Sequence, residues 1–303
     1  MSEIVNGPGV GGGPAFVWDA AAGYEVALGV NGSGATHTFK LVGTSWVELH
    51  AWTPNIGTIS PGWTDLVYDS SDGYPVLLIE WGQASTPPLP PNHVVTWMFD
   101  GGSWSYLPTR GAPPSSPNYV PAVADPSDGY LILMGGGSLN GPANGMWGLH
   151  SGVWTRLPAV PTTANLNAVN YAYDSEIGKL LILGNFAGGG GELQDWTFHA
   201  GEWKNIQFSN RLYDDELQPT YDPAIPGLLA WGEPGSSGGC RNAAFVCLWL
   251  WKDGTSGFVN ITSLTAPPLD PCTTNPIYDP ALKGLICAVF TSGTPSYGLW
   301  EFT

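Results

Sequence analysis

An all-β fold, a closed ring of six four-stranded antiparallel units, is what the sequence predicts, and three observations predict it. The first is composition: 42 glycines and 28 prolines punctuate 303 residues that also carry 15 Trp, 12 Tyr and 10 Phe. That mixture suits many short strands joined by tight turns and argues against long helices. The second is a repeated segment: "FVWDAAAGY", "LVYDSSDGY", "AVADPSDGY", "YAYDSEIGK", "PTYDPAIPG" and "PIYDPALKG" recur with their aspartates, Asp19, Asp69, Asp125, Asp174, Asp222 and Asp279, 48 to 57 residues apart. The third lies downstream of five of them, where an aromatic residue is followed seven positions later by another large apolar one: Phe39 and Trp46, Trp97 and Trp104, Trp147 and Trp154, Trp196 and Trp203, Trp251 and Phe258.

Each unit reads as four strands. Strand a ends at the repeat aspartate, and a four-residue turn closed by glycine leads into strand b, whose continuous apolar run, as in "YLILMG", marks burial on both faces. A variable loop follows. Strand c carries the first aromatic residue, and a short glycine turn leads to strand d with its "WVEL", "WSYL" or "WTRL" pattern. A lone four-stranded unit cannot bury two apolar faces, so the units are expected to pack radially as a six-bladed β-propeller. The sixth unit stops at "YGLWEFT", after strand c, and Met1 to Ile4 fit the missing strand d. The N-terminal strand is therefore expected to complete the C-terminal blade and remove a free sheet edge. The expectation is one domain spanning 1–303, with blades near 15–50, 65–108, 121–158, 170–207, 218–262, and 275–303 plus 1–5.

Charge narrows the function. Asp and Glu outnumber Lys and Arg by 25 to 9, a formal charge of −16 that repels nucleic acid and anionic membrane surfaces. No apolar run approaches the length of a membrane helix, so no membrane insertion is expected. The opening "MSEIVNGPGV" has neither a basic start nor a long apolar segment, a property a processed secreted chain would share. Four cysteines, Cys240, Cys247, Cys272 and Cys287, permit two disulfides in three connectivities. Cys240 with Cys247 is the favoured pair, and four free buried thiols remain the alternative. Sequons occur at Asn31 and Asn260. Sparse charge, abundant Gly, Ser, Thr and Trp, and acidity point to an extracellular or cell-surface protein, and would suit an acidic habitat, with a cytoplasmic home left open.

Strand b running into glycines in "LILMGGG", followed by aromatic pairs such as "TWMFDGGSW" and "DWTFHAGEW", resembles the Kelch-repeat propellers, although only the third unit keeps the double glycine. The resemblance covers nearly the whole chain. It implies the propeller fold without choosing an activity, since that family includes protein-binding scaffolds, glycan-associated proteins and oxidases. The copper oxidases among them need a cross-linked Tyr and Cys with two His, a set not assignable here. No cofactor and no metal are expected.

If strands alternate, the d–a and b–c loops share one face, and these are the variable segments, including "GQASTPPLPPNH" and "FAGGGGELQD". A rigid scaffold with variable loops on one face is where binding residues gather. Eleven residues beyond the repeat aspartates stand Val30, Glu80, Gly136, Asn185, Glu233 and Phe290, so carboxylates fall only in the second and fifth units, which oppose one another in a six-membered ring. Four residues before the aspartates stand Ala15, Asp65, Pro121, Asn170, Gln218 and Asn275. Glu80, Glu233 and Asp65 are the candidate catalytic groups if the protein is an enzyme; Trp81, Trp231, Asn170, Asn185, Gln218, Asn275 and Tyr213 are the candidate ligand-binding residues.

Aromatic platforms beside carboxylates suit sugars, and two carboxylates suit glycoside hydrolysis. The other reading keeps Glu80 and Glu233 as solvated loop-edge residues and Trp81 and Trp231 as blade core. The run Tyr213 to Glu216 is densely acidic but lacks calcium-loop spacing. The five histidines lack metal-ligand spacing, and His150 and His199 occupy equivalent repeat positions. The repeat aspartates read as structural acceptors for their own turns. Three functions follow: a monomeric binding module for a polysaccharide, other glycan or surface protein; a carbohydrate-active glycosidase or lyase; and a structural cell-surface protein.

Overall fold

The computed structural model describes residues 2–4, 15–30, 36–49, 64–80, 94–111, 122–134, 145–161, 170–183, 195–206, 218–221, 223, 225, 227–232, 247–253, 257–261, 277–291 and 294–301. Every regular element among them is a β-strand. The chain starts with β1 (Ser2–Ile4) and then lays down five sheets of four consecutive strands. The first contains β2 (Ala15–Asp19), β3 (Tyr24–Val30), β4 (Thr36–Val42) and β5 (Ser45–Leu49); the second β6 (Thr64–Asp69), β7 (Tyr74–Glu80), β8 (Val94–Phe99) and β9 (Trp104–Tyr106). The third contains β10 (Ala122–Asp125), β11 (Tyr130–Met134), β12 (Met146–His150) and β13 (Val153–Leu157); the fourth β14 (Asn170–Asp174), β15 (Lys179–Leu183), β16 (Asp195–His199) and β17 (Glu202–Ile206). The fifth contains β18 (Gln218–Tyr221), β19 (Leu228–Gly232), β20 (Cys247–Trp251) and β21 (Val259–Asn260). A further sheet is composite: β22 (Ile277–Asp279), β23 (Gly284–Thr291) and β24 (Thr294–Glu301) are completed by β1.

All pairings within these sheets are antiparallel, and the first strand of each lies at its inner edge. These inner strands pack in a circuit, β2 on β6, β6 on β10, β10 on β14, β14 on β18, β18 on β22 and β22 on β2. The result is a propeller ring. In the composite sheet Ser2, Glu3 and Ile4 pair with Leu299, Gly298 and Tyr297, so β1 covers the outer edge of β24.

Successive sheets bury their apolar faces against each other. Val26 and Leu28 of the first sheet pack with Leu66, Leu77 and Ile79 of the second, and Val67, Val76 and Leu78 pack with Leu131, Leu133 and Leu149 of the third. Ile132 and Met134 then meet Leu180 and Ile182 of the fourth, and Ala172, Leu181 and Leu183 meet Leu228, Ala230 and Trp249 of the fifth. Phe16, Ala27, Leu41 and Trp46 pack on Ile286 of the composite sheet. Each strand b is thus buried on both faces, as its unbroken apolar run predicts, and each such Leu or Ile contributes about 1.5–3 kcal/mol.

Polar links reinforce the seams. Trp104 Nε1 donates to Thr38 Oγ1 at 2.8 Å, Trp203 Nε1 to the Pro158 carbonyl at 2.9 Å, and Tyr173 Oη to Ser127 Oγ at 2.7 Å. Lys179 pairs with Asp253 between the fourth and fifth sheets. Beyond β9 the chain turns onto the next sheet, where Arg110 N–H donates to Gly152 O at 2.9 Å and Trp154 N–H to Arg110 O at 2.8 Å, blunting the outer edge of β13.

The repeat aspartates do what the repeat implies. The Oδ1 atoms of Asp19, Asp69, Asp125, Asp174 and Asp279 each accept the backbone N–H groups two and three residues on, for example Ala21 and Ala22 at 3.0 Å and Ala281 and Leu282 at 2.7 and 2.9 Å. Asp222 lies outside the described residues. Gly23, Gly73, Gly129 and Gly178 close these turns with φ of 65–80°. The composite sheet departs from the pattern. Its glycine, Gly284, comes one residue late, so Lys283 occupies the left-handed position with φ 53°.

The hairpin register decides which of the aromatic residues meet. The residues seven apart are not cross-strand partners: Trp104 stands opposite Phe99, their rings 5.1 Å apart, whereas Trp97 stands opposite Tyr106 at 5.8 Å. The fourth sheet repeats this with Phe198 opposite Trp203 at 4.9 Å.

Two outcomes are expected from this geometry. Lys283→Gly relieves a side chain held in the left-handed region and stabilises the fold by about 1 kcal/mol in urea titration. Deleting residues 1–5 leaves β24 with an open edge, which lowers the melting midpoint and makes elution volume concentration-dependent in size-exclusion chromatography.

Candidate functional site

The functional candidate that the structure describes in full is Asp65. It is the second residue of β6, opposite Leu78 of β7, and therefore lies at the end of an inner strand remote from the repeat-aspartate turn. Its Oδ1 accepts the N–H of Leu66 at 2.9 Å. Its Oδ2 accepts the N–H of Ala122, the first residue of β10, at 2.7 Å, and the hydroxyl of Tyr171 at 3.4 Å. Tyr171 belongs to β14, and β10 stands between β6 and β14 in the ring. Both side chains therefore meet at the start of β10, the strand between theirs, with Tyr171 also packed against the seam of the third and fourth sheets. Asp65 and Tyr171 thus place a carboxyl and a phenol together at the start of β10, at the end where the d–a and b–c loops begin.

Both groups are half-buried. Burial raises the Asp65 carboxyl to about 6, prevailing over the hydrogen bonds from Ala122, Leu66 and Tyr171 that favour the ionised form. Burial, then the neighbouring Asp65 charge, holds the Tyr171 phenol well above its usual range. The pair therefore offers a carboxyl that changes protonation just below neutrality beside a hydroxyl that keeps its proton. Such a pair accepts hydrogen bonds when ionised, donates one more when neutral, and has a midpoint suited to proton transfer.

Two further candidates have their backbone positions near this end of the ring. Glu80 is the last residue of β7, opposite Val94; since Thr64 pairs with Ile79, Glu80 extends beyond Thr64 toward the loops, one strand further out than Asp65. Asn170 is the first residue of β14 and precedes Tyr171. In the fifth sheet Gln218 and Trp231 are direct register partners. For Glu80, Asn170, Gln218 and Trp231 only the backbone is described. Trp81, Asn185, Tyr213, Glu233 and Asn275 lie outside the described residues, and with Glu233 lies the expected pairing across the ring. The acidic run 213–216 lies outside them too. Of the cysteines, Cys247 and Cys287 are placed in β20 and β23 by backbone alone, while Cys240 and Cys272, and with them the favoured disulfide, lie outside the described residues.

The histidines at equivalent repeat positions are structural. His150 Nδ1 meets the carbonyl of Gly129 at 2.7 Å and His199 Nδ1 that of Gly178 at 2.6 Å, tying the c–d turn to the a–b turn of the same sheet. Among the described residues no group of three or more His, Cys, Asp or Glu is arranged to hold a metal ion.

Tyr171 was not among the residues singled out from sequence, although a signal for it exists. Three residues before the repeat aspartates stand Phe16, Leu66, Ala122, Tyr171, Pro219 and Pro276, so Tyr171 alone brings a hydroxyl to that position. Compared with models of known protein families and with curated proteins, the chain matches none.

Because the Tyr171 hydroxyl stabilises ionised Asp65, Tyr171→Phe raises the Asp65 midpoint above about 6. Carboxyl carbon-13 NMR titration of wild type and variant reads the shift, and an unchanged or lowered midpoint refutes the coupling.

Proposed function

We propose that this protein is an extracytoplasmic binding module for a glycan, with the face formed by the d–a and b–c loops as its ligand surface and Asp65 with Tyr171 at the floor of that surface. The observation that carries the reading is the joining of a carboxyl and a phenol from non-adjacent sheets at the start of β10, at the loop end of the ring. Sugar hydroxyls both donate and accept, so a carboxylate beside a phenolic donor suits them, and aromatic residues in the bordering segments, Trp81 and Trp231, would supply the platforms on which C–H faces pack. The ring is read as six-bladed and Kelch-like. The six four-stranded sheets and the aromatic pairs of strands c and d support that reading. A surface-protein partner uses the same face and would be recognised by its loops.

One observation favours a second reading, a glycosidase or lyase. A carboxyl titrating at about 6 holds its proton far better than an ordinary aspartate, as a general acid must. In that case Asp65 is the acid, and Glu80 or Glu233 the ionised partner.

Affinity electrophoresis through gels containing plant, microbial or algal polysaccharides, run at acidic and neutral pH, tests the two together. Binding predicts retardation on at least one polysaccharide, weakened at least about tenfold by Asp65→Asn, as loss of a charged hydrogen bond implies. No retardation on any of them overturns the glycan reading. New reducing ends that vanish in Asp65→Asn replace binding with catalysis.

A further inference from the structure

A second carboxyl, unrelated to the loop face, stands where a carboxyl is least expected. Glu25 is the second residue of β3 and is wholly buried, and neither of its carboxylate oxygens has a hydrogen-bond partner. Six residues beyond the repeat aspartates the other units carry Pro75, Leu131, Leu180, Leu228 and Leu285, all buried. Glu25 therefore replaces an apolar core residue in one unit alone.

Its location is specific. Side chains alternate along a strand. Val26 and Leu28 face the second sheet, while Ala27, on the same side as Glu25, packs with Phe16, Leu41, Trp46 and Ile286, against which Ile277 and Leu282 of the composite sheet also lie. Glu25 thus points into the seam between the first sheet and the composite one, the seam at which chain start and chain end close the ring.

Among the described residues, the charged surroundings offer it no cation. From the composite sheet comes Asp279, whose negative charge opposes ionisation of Glu25, and whose Oδ1 is engaged by the Ala281 and Leu282 N–H groups. Lys283, in the same turn, is exposed. On Glu25's own face of the first sheet, His37 and Glu48 pair with each other at 2.6 Å. Lys40 lies across from Val26, on the opposite face, its Nζ 5.4 Å from the centre of the Tyr24 ring. Asp19, in β2, is committed to its own turn.

We propose that Glu25 is a proton-dependent lock on this closure seam, shut while its carboxyl is neutral and loosened when the carboxyl ionises. Neutral, it fills the space that leucine fills in four of the other five units. Ionised, it places an unsolvated charge against Asp279 in the middle of an apolar seam. Burial raises its pKa well above the usual 4.5, so on a rising pH scale the unfolded chain releases this proton before the folded one does. The stability Glu25 contributes is therefore complete below about 4.5 and declines as pH climbs through the folded value. The ring is tightest in acid and opens first between β2–β3 and β22–β23 as the medium becomes alkaline.

The test compares wild type with Glu25→Leu, which installs the residue found in four of the other five units, and with the near-isosteric Glu25→Gln. The melting midpoint of each variant relative to wild type rises between about pH 4 and about pH 8 by at least about 2 °C, because only wild type acquires the buried charge. A difference that stays constant with pH overturns the proposal. So does a wild-type midpoint that rises with added calcium and thereby loses its pH dependence, which would make Glu25 a cation ligand. Should neither variant fold, hydrogen exchange in wild type, corrected for intrinsic rates, decides the matter. Protection in β2, β3, β22 and β23 falls more steeply over this pH range than in β10–β13, and an equal fall in both overturns the lock.

Discussion

Each sheet of this protein has two apolar faces and only one chain segment to cover them, and the whole architecture answers that constraint. Strand b is buried on both sides in every unit with described side chains, from Val76, Leu77 and Leu78 in β7 to Leu180, Leu181 and Ile182 in β15. Odd and even positions in one strand consequently face different neighbours. Val26 belongs to the seam with the second sheet and Ala27 to the seam with the composite one. A sheet so patterned is stable only between two others, and a row of such sheets ends without exposed apolar faces only by closing on itself. The pairing of β1 with β24 follows from the same need, at the level of backbone rather than side chains.

Low charge and dense packing also give the carboxyls an unusual balance. Burial pushes Asp69, Asp174 and Asp279 upward even though each accepts two turn N–H groups that favour its ionised form, and the same contest in Asp65 ends near 6. Glu25 has no opposing hydrogen bond at all. The exposed Asp100 goes the other way, lowered chiefly by the N–H groups of Ser103 and Gly102. Raised carboxyls bind protons more tightly folded than unfolded, so together they favour the fold in acid and tax it toward neutrality, in the same direction as self-repulsion within a chain of formal charge −16.

Much of the fold was legible because the repeat is local chemistry. An aspartate that accepts its own turn, a glycine with positive φ and a continuous apolar run are each specified within about ten residues, and the unit recurs often enough to be read by eye. Cross-strand partners were less legible. The seven-residue spacing from Trp97 to Trp104 is a true period of the sequence, but the hairpin register pairs Trp104 with Phe99, because the turn sets which residues face each other. The site was read only in part. Asp65 was found by counting from the repeat aspartate, yet the same count overlooked Tyr171 one position later and Glu25 after the turn, although both break the pattern of their columns.

The amino-acid order by itself determined the strands, the turns, the four-stranded unit and the radial packing that its two apolar faces demand. It also marked the positions where one unit differs from the rest. Only the tertiary structure decided what those differences mean. Asp65 and Tyr171 are separated by 106 residues, and their contact requires the curvature of the ring to bring β6 and β14 within reach across β10. Glu25 and Asp279 stand near opposite ends of the sequence and oppose each other because closure brings the first sheet against the last. Electrostatics and hydrogen bonding act through space, and in a closed ring the neighbours in space are not the neighbours in sequence.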